Sequence, residues 1–359
     1  MKSDLFTLAV LTLLLLLTFV SCATDQPVSA ADARFTQASP QNIDANRLAQ
    51  AYEEAKLNGG IKCLLVARNG VLVGEEYFRG DGRDSLYHVR SVTKSVISIL
   101  FGIAVDRGLI RSIDATVKDY LGDSYDGILP ITGSISIRNL LTMSGGFQWE
   151  ELQSFYMFNL WERAPDHVQY VLQLPVVNTP GTTFTYNTAA CQLLSAMFKK
   201  ATGVQLSEFA RQNLFEFIAM LGDRPWVADE RGYSYGGYQL SLKPMDMVNI
   251  GLLYLNEGEF GGRRIVSADW VRASTRAQIS TGNANPNGSG YEYLWWVSRT
   301  GQYDFYYANG YGGQFIVVVA ALRLVVVARS TWTNSGRTAD EQWMSTMDVI
   351  LSHVVPAVR

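Results

Sequence analysis

Histidine and cysteine are scarce in this chain of 359 residues, which holds only His88, His167 and His353, and Cys22, Cys63 and Cys191. No Cys-x-x-Cys or His-x-x-x-His pair occurs, so the usual metal-ligand spacings are missing and chemistry without metal or cofactor is expected. An excess of charge of one sign is also lacking. Thirty lysines and arginines stand against 33 aspartates and glutamates, a formal net charge of −3, and the cations are scattered. With no basic face and no acidic tail, a nucleic-acid partner is not expected. Neither an internal repeat nor a low-complexity block is visible, which sets aside solenoids and extended linkers.

What is present is a chain able to bury a large core, with 48% hydrophobic and 18% charged residues. Its length suits one large domain or two ordinary ones. Lys2 precedes an apolar run from Leu5 to Val20, followed by Ser21-Cys22-Ala23. A charged start, a leucine-rich run and a small-residue end read as an export signal over residues 1–22. The run is short for a bilayer-spanning helix, which takes roughly 20 apolar residues. Phe19-Val20-Ser21-Cys22 resembles a bacterial lipobox, in which the cysteine becomes the lipid-bearing first residue. The expectation is export to the periplasm or cell envelope with membrane attachment through Cys22; simple cleavage and an uncleaved anchor are the alternatives. Residues 23–43, polar and without periodicity, read as a tether. Cys63 and Cys191 lie in apolar surroundings and are expected as buried free thiols.

Asp44 caps a predicted helix whose Leu48, Ala51, Tyr52 and Ala55 share a face, stopped by Gly59-Gly60. Ile61–Arg68 and Val71–Phe78, joined by Asn69-Gly70, predict a hairpin. A helix follows from Ser91 to Arg107, apolar around nearly its whole circumference and therefore buried. Helices are predicted at 241–256 and 268–275, then strands at Tyr303–Ala308, Phe315–Ala320 and Leu324–Ser330. Thr338-x-x-Glu341 forms a capping box that opens the last helix. The fold expected is mixed α/β (α+β). N- and C-terminal segments, 44–130 and 231–359, build one antiparallel sheet flanked by helices, and 131–230 forms an inserted, mostly helical domain. The cleft between the two is the expected site.

Three stretches carry the chemistry. Ser91-Val92-Thr93-Lys94 places a hydroxyl and an amine three residues apart on one helix face. Serine becomes a nucleophile when a neighbour removes its proton, and lysine can do so when its surroundings lower its pKa. About one such motif arises by chance in a chain of this length, so the four residues alone prove little. Tyr186-Asn187-Thr188 sits in a loop fixed between Pro180-Gly181 and an apolar helix, where a tyrosine can relay protons. Ala308-Asn309-Gly310-Tyr311-Gly312-Gly313-Gln314 joins two strands; its glycines allow a backbone N–H to approach a ligand.

Taken in order, these stretches resemble the serine β-lactamase and penicillin-binding superfamily. His88–Val96, Leu140-Leu141-Thr142-Met143-Ser144-Gly145-Gly146 and Asn309–Gln314 are similar to its branch of class C β-lactamase-like esterases and 6-aminohexanoate-oligomer hydrolases. The resemblance covers roughly residues 44 to 355. It implies an acyl-enzyme on Ser91, proton handling by Lys94 and Tyr186, and an oxyanion hole from the N–H groups of Ser91 and Tyr311. Substrate contacts are expected from Thr188, Asn309 and Gly310 in these motifs, and from Trp161 as an aromatic wall residue. Two departures stand out. The third residue of the tyrosine motif is Thr188 where the family often has Asn, and Ala308-Asn309-Gly310 replaces Lys-Thr-Gly or His-Thr-Gly. In β-lactamases those positions meet the lactam's amide and carboxylate, so simple esters or linear amides are the substrates expected. A β-lactamase or D,D-peptidase/D-aminopeptidase is the alternative within the fold, and a non-catalytic binding protein the alternative outside enzymes.

Gly232-Tyr233-Ser234-Tyr235-Gly236 also fits a nucleophile elbow. The elbow needs an apolar strand before it and a helix directly after; here Asp229-Glu230-Arg231 precedes and Gly237-Tyr238-Gln239 follows. A Ser-His-Asp triad is therefore set aside. Phe147, Trp149, Tyr156, Trp161, Trp295, Trp296 and Tyr307 are candidates for an apolar pocket wall, a few of them at most.

Overall fold

The computed structural model describes residues 38–282, 288–333 and 335–359. The export signal with Cys22, and tether residues 23–37, lie outside the described residues. Residues 38–43 were expected as tether but pack against the fold instead. Ala38 and Ile43 are buried, and Ile43 bridges Val358 at the other end of the chain.

Local chemistry starts each element. The Asp44 carboxylate accepts the Asn46 and Arg47 N–H groups and opens helix α1, Ala45–Leu57, satisfying donors that a helix start leaves free. Strands β1 (Ile61–Arg68) and β2 (Val71–Tyr77) turn at Asn69 and Gly70, with φ of 52° and 82°, the positive values this tight turn demands. Helix α2, Val92–Asp106, is buried at every residue from Val92 to Ala104. Between Pro130 and Ile218 the described segments are helical, with no strand longer than an isolated bridge; the longest is α3, Ala190–Thr202. Then come α4 (Pro244–Leu255), β3 (Gly288–Glu292), β4 (Trp295–Thr300), β5 (Tyr303–Gly310), β6 (Gln314–Val319), β7 (Leu324–Ser330) and α5 (Ala339–Asp348).

The seven strands form one antiparallel sheet in the order β2-β1-β7-β6-β5-β4-β3. Pairing of Leu64 with Ala328 and Leu65 with Val327 sews the N-terminal hairpin to the C-terminal strands. Every residue of β6 is buried, and all but one of β7, so helices must cover both faces. Residues an odd number apart on a strand point to opposite faces. Val325 meets α4, where a Cβ on Gly251 would come within 2.4 Å of Val325 Cγ1. The Ser330 hydroxyl, on the opposite face, bonds that of Thr346 in α5 at 2.8 Å.

The sheet is larger than the sequence suggests. Strands β3 and β4 were not foreseen, because the stretch begins Gly288-Ser289-Gly290 and its pairing register is interrupted there. No helix among the described residues is long and apolar enough to cross a membrane. Cys63 and Cys191 are buried free thiols, each pushed up to about 12 by burial.

Candidate active site

Ser91 stands at the N-cap of α2, and the chain leading to it is pinned. Tyr87–His88 pairs with Ser241–Leu242, and the Val89 N–H reaches Leu240 O at 2.9 Å. His88 Nε2 lies 2.8 Å from Gln239 Oε1. Arg90 adopts a left-handed backbone, φ 52°, a conformation costing about 1 kcal/mol or more outside glycine that fixed flanks must hold. The sheet edge meets the same place. A Cβ on Gly310 would lie 2.5 Å from Val89 O, so only glycine lets β5 approach the entry to Ser91 this closely. Tyr311 follows in the turn before β6. Among the described residues, the backbone N–H groups of Ser91 and Tyr311 bond to no protein acceptor. An oxyanion hole requires two such unbonded N–H groups.

Lys94, 1% exposed, is held in three directions. Its Nζ lies 2.8 Å from Ser91 Oγ, 2.9 Å from Thr188 Oγ1 and 2.8 Å from the Gly237 carbonyl oxygen. The Gly237 carbonyl can only accept. The Thr188 hydroxyl donates to Glu151 Oε1 at 2.5 Å, so toward Lys94 it too accepts. Two N–H groups are thereby committed. The third direction, toward Ser91, carries an N–H in the ammonium and a lone pair in the amine.

Tyr186 closes the cluster. Its phenol interacts electrostatically with Ser91 and Lys94, and Lys94 Nζ stands 4.9 Å from the ring centroid. Trp296 stacks on the ring, centroids 5.7 Å apart at 25°. Burial pushes the Tyr186 pKa up, Lys94 pulls it down and Glu151 raises it again, with a net rise. For Lys94 burial works downward, the neighbouring acids Tyr186, Cys191 and Glu151 work upward, each in so far as it is ionised, and the net direction is upward. The lysine is therefore not the pre-formed free amine that simple burial would produce. The resting cluster carries ammonium and phenol, and one proton must leave it before Ser91 can be deprotonated.

A cleft of about 480 Å³ opens above Ser91 and Tyr186. Glu151, Leu152, Phe155, Trp296, Asn309, Tyr311, Asp340, Trp343 and Met344 are among the residues that line it. Leu152, Phe155, Tyr311 and Met344 expose apolar surface.

Several residues expected to bind substrate have other work. Trp161 is fully buried with its Nε1 donating to His167 O; it is core. Thr188 is buried beneath the cleft, supporting Lys94. Gly310 packs against the Val89 backbone. Asn309 lines the cleft, but its Oδ1 accepts from Trp343 Nε1 at 2.7 Å. Next to Thr188, the Asn187 Oδ1 accepts from the Ala190 N–H at the start of α3, at 2.8 Å. Of the seven aromatic candidates only Trp296 is part of the lining. Arg329, on β7, is committed to Asp81 at 2.9 Å and stacked on Tyr87. Ser234 is fully buried and bonded to Ser207, away from the cleft lining.

Glu151 and Gly237 were missed. Glu151 accepts from the Thr188 N–H at 2.7 Å, the Thr188 hydroxyl and Trp149 Nε1 at 3.0 Å. In the sequence it follows Glu150, which is exposed, and nothing local separates the two. Gly237 contributes a carbonyl, to which its residue type gives no clue.

A sequence model of the Beta-lactamase family matches residues 46–350. The chain is 24% identical over 292 residues to a 6-aminohexanoate-dimer hydrolase of Paenarthrobacter ureafaciens, covering 75% of this chain and 72% of that protein. Among solved structures, EstCE1, described as a hydrolase with promiscuous acyltransferase activity, superposes with a TM-score of 0.69 at 16% identity, covering 90% of this chain and 100% of that one. The octameric penicillin-binding protein homologue from Pyrococcus abyssi gives a TM-score of 0.68 at 17% identity over 86% of this chain and 77% of that one. At such identities the superpositions establish the shared fold.

Proposed function

The chain belongs to the Beta-lactamase family, and on that footing we propose that it is a serine hydrolase cleaving esters or linear amides through an acyl-enzyme on Ser91. The observation that carries this reading is the buried contact of Ser91, Lys94 and Tyr186 at the floor of an apolar-rimmed cleft. Ser91 Oγ attacks the carbonyl carbon while its proton passes to the Lys94–Tyr186 pair. The oxyanion is held by the N–H groups of Ser91 and Tyr311. The C–O or C–N bond breaks as Tyr186 protonates the leaving group. Water then attacks the acyl-enzyme, its proton returns through Tyr186, and Ser91 leaves with its own proton restored. The hydrolase names of the relatives support this class of reaction.

The cleft lining favours neutral or amine-bearing substrates over anionic lactams. No described lining residue is a lysine, arginine or histidine, and its two charged members are Glu151 and Asp340. A charge-assisted contact contributes about 1.5–3 kcal/mol, so a substrate carboxylate forgoes about one to two orders of magnitude here. The test compares kcat/KM for a short p-nitrophenyl ester and a chromogenic cephalosporin in one preparation. A higher value for the cephalosporin would promote the β-lactamase alternative. Labelling by a fluorophosphonate, abolished in Ser91→Ala, separates an enzyme from a non-catalytic binding protein of this fold.

Export and attachment through lipid on Cys22 belong to the same proposal and rest on the sequence of residues 1–22. Cys22→Ala is expected to move the protein from the membrane to the soluble fraction; unchanged membrane recovery would reject the lipid.

A further inference from the structure

Where the resemblance implies an asparagine beside the catalytic lysine, this chain has Thr188, and behind it a buried carboxylate. The sequence Glu151 Oε1, Thr188 Oγ1, Lys94 Nζ, Ser91 Oγ is joined by contacts of 2.5, 2.9 and 2.8 Å. Every neighbour of Glu151 donates to it: the Thr188 N–H, the Thr188 hydroxyl and the Trp149 indole. That pattern requires a group which accepts on both oxygens. The polarity of the line is therefore set from its far end. The single proton of Thr188 points at Glu151, and only lone pairs face Lys94.

We propose that Glu151 is a positioning residue which, through the Thr188 hydroxyl, sets the pH at which the Ser91–Lys94–Tyr186 cluster releases the proton that arms the nucleophile. The inference rests on the acyl-enzyme reading above and adds to it a group that handles no substrate atom. Other ionisable groups around Lys94 are Tyr186 and Cys191 from the loop and helix that follow the Pro-Gly turn, with Tyr291 from β3 close to both. Cys191 and Tyr291 are driven upward by burial and stay neutral near pH 7. Glu151 is the anion of the set. Negative charge one hydroxyl away stabilises the ammonium, so it holds the proton on the cluster to higher pH. Hydrolysis then rises with pH along an acid limb whose position Glu151 determines.

Glu151→Gln changes charge and polarity at nearly constant shape. Two N–H groups converge on Oε2, so the glutamine oxygen must occupy that side and its NH2 must face Thr188. The hydroxyl then receives a proton where it formerly gave one, and it turns its own toward Lys94. The ammonium loses an acceptor and a stabilising charge. In a pH series of kcat/KM on a p-nitrophenyl ester, the acid limb is expected to move down by about one unit. The plateau kcat should fall about tenfold with KM within about threefold. Thr188→Val should shift the limb in the same direction, and Thr188→Ser, which keeps the hydroxyl, should restore the wild-type limb. Should Glu151→Gln fail to fold, the valine–serine pair decides alone. An acid limb that stays in place in both Glu151→Gln and Thr188→Val, or one that Thr188→Ser fails to restore, overturns the proposal. Absence of fluorophosphonate labelling in the unaltered protein would instead overturn the acyl-enzyme reading itself.

Discussion

In the proposed mechanism Lys94 and Tyr186 together handle the proton that Ser91 gives up. The amine's other two contacts, to Thr188 and Gly237, leave one direction open, toward Ser91. Tyr186 interacts electrostatically with both partners, and Trp296 stacks on its ring. Removing its hydroxyl takes away the group best placed to protonate a departing alcohol or amine. Tyr186→Phe is expected to lower kcat about 10²-fold or more, the scale of a positioned acid–base group. Ser91→Ala should abolish turnover, while Ser234→Ala should leave it near normal, since that hydroxyl is buried against Ser207. Steady-state kinetics on one ester checks all three. Full activity in Tyr186→Phe would mean that the proton travels by another route. Residue identity predicted Ser91, Lys94 and Tyr186 as a set because their types and order are unusual together. It could not separate Glu151 from Glu150, because what distinguishes them is burial.

At the scale of elements, the segment from Gly236 to Leu242 matters more than its sequence suggests. It pairs with the strand entering Ser91, bonds His88 through Gln239 and gives Lys94 the Gly237 carbonyl. The rejected elbow motif thus borders the site without supplying its nucleophile. A Cβ on Gly237 would sit 2.5 Å from Thr188 Cγ2 and 3.2 Å from Lys94 Nζ, closer than packed atoms allow. Gly237→Ala is expected to displace Lys94 and cut kcat/KM about 10²-fold, the cost of a misplacement near 1 Å. Circular dichroism should show the fold retained. Unaltered kinetics in this variant would show that the segment yields freely and does not position the lysine. The capping signals at Asp44 and Thr338 and the Asn69-Gly70 turn were legible because each acts within four residues. Strands β3 and β4 were not, since their stability comes from pairing with each other and, through β4, with β5 rather than from their own pattern.

For the whole molecule, the clearest consequence of burial is a dependence of stability on pH. Glu292, on β3, is fully buried. Burial pushes its carboxyl up to about 8, against the opposing pull of Arg138 and the Gln278 backbone. In the unfolded chain it ionises near 4.5. Between these values the unfolded chain sheds a proton that the folded one keeps, so stability falls as pH rises through that window. The melting temperature is expected to drop by about 5 °C or more from pH 5.5 to pH 8. Glu292→Gln, neutral throughout, should flatten the slope. A variant whose melting temperature falls as steeply as that of the unaltered protein would show that other groups govern the effect.

The sequence by itself determined the elements whose signals are local, the order of the three motifs and the buried character of the helix that begins at Ser91. These depend on residue type, on spacing along one helix and on turns that tolerate positive φ, all of which are properties of neighbours in the chain. Only the tertiary structure decided that Glu151 reaches Lys94 through Thr188. The same holds for Trp161, which is core where a cleft wall was expected, and for Arg329, which is bound to Asp81. Hydrogen-bond polarity and burial arise between segments far apart in the chain. A buried carboxylate acquires its role from the donors that converge on it, and those donors meet only after folding.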